Sequence, residues 1–147
     1  MEIAMQRKLW LLIVTAALFT ITSYSLAHSP PDNAKIFFKN IADGDVVQNP
    51  VTIKFGIKGF GVTAAGELAK DKHNAGHYHL LINVAKLPDL EEPIPYAPGY
   101  MHFDAGETET TLTLKPGEYT LQLMMGDEDH EPYDPPLISK KIVIKVE

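Results

Sequence analysis

The sequence predicts an all-β fold, an antiparallel immunoglobulin-like β-sandwich of about seven strands that follows a signal peptide. Three observations carry this. Short segments of apolar–polar alternation recur along the chain, most cleanly at 51–58 and 119–125. Clusters of glycine, proline, aspartate and asparagine separate them, as turns and loops require. Beyond residue 27 no segment shows the apolar period of an amphipathic helix.

The first element is the leader. Arg7 and Lys8 precede an uncharged run, Leu9 to Thr22, that holds Trp10, Leu11, Leu12, Ile13, Val14, Leu18 and Phe19. A charged start and a short apolar run make a secretory signal peptide. A membrane-spanning helix needs about 20 apolar residues, and here Thr22, Ser23, Tyr24 and Ser25 dilute the run after about fourteen. Ser25, Leu26 and Ala27 form a small-residue cleavage site, so cutting is expected before His28. With no cysteine near the cut a lipid anchor is excluded, and the mature protein is expected to be periplasmic or secreted with no membrane span. Residues 1–27 are thus read as signal peptide, 28–33 as a flexible leader and 34–147 as a single sandwich domain.

Within that domain Ile36, Phe37 and Phe38 read as a first strand, closed by the turn residues Asp43, Gly44 and Asp45. Val51, Ile53, Phe55 and Ile57 share one face of the next strand, and Thr52, Lys54 and Lys58 the other. The segment from Gly59 to Asn74, with the charged stretch Glu67 to Lys72, keeps neither period and reads as a loop. From His77 to Val84 a period of two sends Tyr78, Leu80, Ile82 and Val84 to the core, and His77, His79, Leu81 and Asn83 together to the other face. A long connection with Pro88, Pro93, Pro95 and Pro98 leads to Tyr100, Met101, His102 and Phe103; loops of this length are often functional. Thr108, Thr110, Leu112 and Leu114 then alternate up to Pro116-Gly117, and Tyr119, Leu121, Leu123 and Met125 alternate after it, which predicts a hairpin. Gly126 to Pro136 is an acidic, proline-rich loop, and Ile138, Ile142, Ile144 and Val146 mark the last strand.

Composition removes whole classes of function. Loss of residues 1–27 takes away Arg7, Lys8 and Glu2, leaves 120 of the 147 residues and moves the formal net charge from −6 to −7. Phosphate binding needs a basic footprint, so nucleic acid is not an expected partner. There are no cysteines, which excludes disulfide chemistry and thiolate metal sites and leaves His, Asp, Glu and Met as ligands. Glycine-flanked serine elbows and phosphate loops are absent, so the sequence does not read as a hydrolase, and no catalytic residue is assigned.

All six histidines, at 28, 73, 77, 79, 102 and 130, lie in the mature chain. His77 and His79, two apart on a strand, project from one face at a spacing from which both imidazoles reach one first-row metal ion. His102 comes from the proline-rich loop and His130 from the acidic loop, and a sandwich gathers loops at its ends, so the four are the predicted ligands, for copper or zinc. Taken singly, each histidine also fits a solvated surface position. Met101, Met124 and Met125 lie in or beside histidine-bearing segments and would suit Cu(I), although methionine is more often a core gap-filler. The acidic loop carries five carboxylates around His130 and lacks the ligand order of an EF-hand; Asp127, Asp129 or Asp134 would fix a histidine tautomer from outside the ligand set. His28, if it begins the mature chain, offers amine and imidazole together as a copper brace.

The segments Gly76-His77-Tyr78-His79-Leu80-Leu81-Ile82-Asn83, Met101-His102-Phe103 with Gly106-Glu107-Thr108, Leu114-Lys115-Pro116-Gly117 and Gly126-Asp127-Glu128-Asp129-His130 form a recognisable pattern. It resembles a family of small exported bacterial proteins catalogued as a domain of unknown function (number 4399), over about Ala34 to Val146. The resemblance implies export and a β-sandwich and brings no established activity. Members of that family tend to carry histidine where this chain has Tyr78 and Tyr133, so any site that used those positions would be poorer here. A weaker likeness, to copper–zinc superoxide dismutase, rests on two histidines one residue apart on a sandwich strand; its disulfide is missing, and fold alone does not carry function.

The sequence therefore points first to a non-enzymatic periplasmic metal-binding protein with a histidine cluster at one end of a β-sandwich. The alternatives are a metal-free envelope interaction module that uses the acidic loop with Tyr96, Tyr100 and Phe103, and a copper redox enzyme built on His28 or a dismutase-like site.

Overall fold

In a computed structural model of the protein, described here for residues 29–66 and 74–147, the chain is all-β. The expected signal peptide, cleavage site, His28, His73 and the charged stretch from Glu67 to Lys72 lie outside the described residues. Nine strands are formed among the described ones: β1 (Lys35–Phe38), β2 (Val46–Val47), β3 (Val51–Lys58), β4 (Gly61–Val62), β5 (Ala75–Ile82), β6 (Tyr100–His102), β7 (Glu109–Leu112), β8 (Gly117–Gly126) and β9 (Ile142–Val146).

They make two sheets. One has the order β1-β3-β7; the other has the order β2-β9-β8-β5-β4, with β6 also paired to β5. Most pairs are antiparallel, as expected, but β2 with β9 and β4 with β5 run parallel over two residues each. Two sheets bear out the β-sandwich. Between the sheets Ile53 and Phe55 of β3 meet Tyr78 and Leu80 of β5, Leu121, Leu123 and Met125 of β8, and Ile144 of β9. The alternation read for β3 and for 119–125 puts the expected residues there, because successive side chains leave a strand on opposite sides.

The predicted hairpin does not form. β7 pairs with β3, and β8 lies in the other sheet between β5 and β9. The chain around Lys115-Pro116-Gly117 crosses from one sheet to the other. Both edges of β8 are already taken by longer apolar strands, so its neighbour in sequence joins the smaller sheet. The Gly59–Asn74 segment likewise contains a strand, β4, and Ile138 precedes the last strand and makes only an isolated bridge to Met124.

The largest departure concerns β5. Its expected outer face is covered: His77, His79 and Leu81 are all fully or almost fully buried. Leu81, Ile94 and Met124 form a second small core on that side, joined by Val84, Leu87 and Tyr100. The proline-rich connection is the roof. Its prolines fix φ and lower the entropic cost of holding a long loop in one path, and it is tied down where Ile82 N donates to Gly99 O (2.8 Å) and Ile94 N to His130 O (2.8 Å).

Candidate metal centre

Four of the predicted residues meet under this roof. β5 presents His77 and His79, whose ring centroids lie 4.6 Å apart. β6 pairs with β5 so that His102 stands directly opposite His79, with ring centroids 4.4 Å apart. His130 closes the group, 4.6 Å from His77 and 5.2 Å from His102 by ring centroid. The cluster lies on the outer face of the larger sheet, near the strand end from which the acidic loop leaves.

The acidic loop has a different task from the one its charge suggested. Asp127 is buried, and its Oδ1 accepts from Asp129 N and Glu131 N, both at 2.9 Å. A carboxylate spent on two backbone N–H groups shapes a turn, and the turn presents His130. That residue has φ +67, in the left-handed region, which non-glycine residues occupy only when their surroundings over-determine it. Its N–H donates to Asp127 O and its carbonyl accepts from Ile94 N. Gly126 is needed for the same approach: a Cβ there would lie 2.8 Å from His79 Cε1.

Polar satisfaction is incomplete at these histidines, as it is at Tyr78 Oη in the main core. Both ring nitrogens of His77, both of His79, and His102 Nδ1 are buried without a hydrogen-bond partner. Each such group costs about 1–3 kcal/mol if it stays unpaired. The surface-histidine reading is overturned for His77 and His79, which expose nothing to solvent. Burial, followed for His77 by the charge of His130 and for His79 by that of His77, pushes His77 down to about 4 and His79 down to about 2. Opposing this for His79 is the Met124 backbone, which makes no well-formed hydrogen bond to the ring. The pair is neutral at physiological pH, the form in which imidazole binds metals.

Two groups complete the site that sequence reasoning did not assign to it. Asp104 follows β6; Phe103 before it is anchored in the main core, so Asp104 emerges on the cluster side. Its Oδ1 lies 3.1 Å from His130 Nε2, 3.8 Å from His77 Nε2 and 3.9 Å from His102 Nδ1. Ligands held tetrahedrally at about 2.0–2.1 Å from one ion are themselves separated by about 3.3 Å, so these spacings suit shared coordination. Burial opposes ionisation of Asp104, but hydrogen bonds from His130 and Tyr96 and the nearby imidazoles outweigh it and hold its carboxyl below the usual range. Tyr96 stacks on His102 with centroids 3.7 Å apart at 12° and donates its hydroxyl to Asp104 Oδ2 at 3.0 Å. The His102-x-Asp104 spacing was a usable signal for Asp104, because alternate residues of an extended chain share a side. Nothing local marked Tyr96.

The methionines and the remaining carboxylates divide differently from the reading above. Met101 and Met125 pack in the main core, and only Met124, opposite His79 in register, shares the histidine side. Asp104 rather than Asp127 contacts the imidazoles. Tyr78 and Tyr133 both belong to the main core, and Tyr133 Oη donates to Ala75 O. Tyr78 therefore faces away from the four histidines, and their convergence does not depend on a histidine there.

Within this arrangement two triads offer ligand atoms within 4.8 Å of one another: His77, His79 and His130, and His102, Asp104 and His130. Imidazoles and a carboxylate are borderline donors that fit Zn²⁺ and Cu²⁺. A family model described as a domain of unknown function (DUF4399) matches residues 53–147, more than half of the chain and all of the residues above. No curated protein matches the chain, and no solved structure does.

Proposed function

The chain belongs to that domain family of unknown function, and we propose that it is an exported, periplasmic metal-binding protein that holds zinc or copper with His77, His79, His102 and His130. The observation that carries this reading is a cluster of imidazoles in which His77, His79 and His102 have buried ring nitrogens without hydrogen-bond partners. Folding would otherwise bury these groups at a loss, and an ion that accepts one lone pair from each imidazole offsets part of that loss. His102 supports it further: its Nε2–H donates to Pro95 O at 3.0 Å, which leaves Nδ1 as the bare donor.

Elemental analysis of the mature protein, followed by calorimetric titration with Zn²⁺ and Cu²⁺, tests the proposal. One ion per chain is expected, and a variant with both His77 and His79 replaced by alanine should take up none. Weak, non-stoichiometric uptake by the unaltered protein would end the reading.

A metal-free interaction module is favoured by one separate feature. An apolar groove lined by Ile36, Phe38, Ile41, Leu137, Ile138 and Ile142 opens beside β1, next to Phe37, which is 44% exposed. Of the aromatic residues first assigned to such a module, Tyr96 is exposed but Phe103 is core.

A further inference from the structure

The two triads differ in their access to water. His77 and His79 expose nothing, whereas the Asp104 side chain is 48% exposed and His102 only 6%. An ion cannot reach the inner pair from the side of the sheet, because Leu81, Ile94 and Met124 pack beside it and the main core lies behind β5. Among the described residues the open approach is over Asp104. His130 belongs to both triads, and Asp104 Oδ1 stands almost equally far from His77 Nε2 (3.8 Å) and His102 Nδ1 (3.9 Å).

We infer that the site works as a two-step relay for a divalent first-row cation: His102, Asp104 and His130 form an outer capture subsite, and His77, His79 and His130 form the buried resting subsite. This rests on the metal reading above. Among the described residues Asp104 is the carboxylate that contacts the imidazoles, so it attracts the hydrated cation and replaces its first waters. Around His130, the ion then exchanges Asp104 and His102 for His77 and His79. No bond between protein atoms forms or breaks; ligands and water alone exchange. Tyr96 braces the capture subsite. Its hydroxyl donates to Asp104 Oδ2, which leaves Oδ1 for the ion, and it lies 2.8 Å from His130 Nε2, a contact that must open if that nitrogen takes the ion.

A relay makes a kinetic statement that a single fixed site does not. Asp104 eases passage in both directions and contributes little to the final bound state. Asp104→Asn should therefore slow Zn²⁺ uptake about tenfold or more, as removal of a steering charge does, and slow release by a similar factor, so that Kd changes less than about threefold. His79→Gln should do the reverse, with uptake near the original rate and release faster by about tenfold or more. Stopped-flow mixing of the intact mature protein with Zn²⁺, release into a chromogenic chelator, and equilibrium competition supply the three quantities. Asp104 is half-exposed, so its amide variant is expected to fold, and circular dichroism checks that. If Asp104→Asn takes up zinc at the original rate, or if its Kd rises by the same factor as its uptake slows, the relay is overturned while the metal site stands. If the unaltered protein binds no zinc or copper, the metal reading itself fails and the relay with it.

Discussion

His102 Nε2 donates to the carbonyl of Pro95 at 3.0 Å, and this one hydrogen bond fixes which nitrogen of His102 faces the cluster. A carbonyl oxygen only accepts, so the proton is held on Nε2 and Nδ1 is left with its lone pair. His102→Gln can keep the donor to Pro95 but offers no Nδ1. Its melting midpoint is expected to stay within a few degrees of the original, while Zn²⁺ uptake slows at least about tenfold. Stopped-flow mixing and thermal melts on the same sample check both halves, and an unchanged uptake rate would remove His102 from the capture subsite.

Because His79 is fully buried with both nitrogens unpaired, it is a cost to the metal-free fold. Replacing such a group by an apolar one of similar shape is neutral or stabilising. His79→Leu is expected to leave the metal-free protein at least as stable, by up to about 1 kcal/mol, and to abolish stoichiometric binding. Denaturant unfolding without metal measures the first effect. The alanine pair at His77 and His79 differs: both rings are covered, so it opens a cavity and destabilises.

Acid should weaken the metal-free protein earlier than its carboxylates would require. In the unfolded chain histidine takes up a proton near pH 6.5, while His77 in the fold resists protonation down to about 4 and His79 to about 2. Between these limits the unfolded state binds more protons, so stability is full above about 6.5 and falls as pH drops towards 4, by about 1.4 kcal/mol per unit for each imidazole at most. Unfolding at several pH values between 7.5 and 4.5 tests this. The slope should flatten in His79→Leu, and imidazole resonances of His77 should not titrate above pH 5.

Leu121 is fully buried between the sheets, with Leu123 and Met125 on the same side of β8. Leu121→Ala is expected to cost about 2–5 kcal/mol, the removed methyl groups plus the cavity they leave. An unaltered midpoint of denaturant unfolding would contradict the face assigned to it.

By itself the sequence determined the alternation that makes β3 and β8, the turns that separate the strands, and the common side of His77 and His79, because a strand's period of two is a property of the backbone. It also held the four histidines and the absence of competing thiols. What it did not contain was partnership. Which sheet β7 joins depends on β5 and β9 already occupying both edges of β8, a matter of competition between distant segments. The histidine face of β5 was equally ambiguous, since alternation assigns sides without saying what covers them. Only the roof formed by the proline-rich connection, pinned at Ile94 and Gly99, turned a face that reads as solvated into a buried one. The same fold brought in Asp104 and Tyr96, whose roles arise from distances between loops. Desolvation then did the chemical work: it keeps His77 and His79 neutral and leaves their nitrogens without hydrogen-bond partners, the state on which the proposed metal site rests.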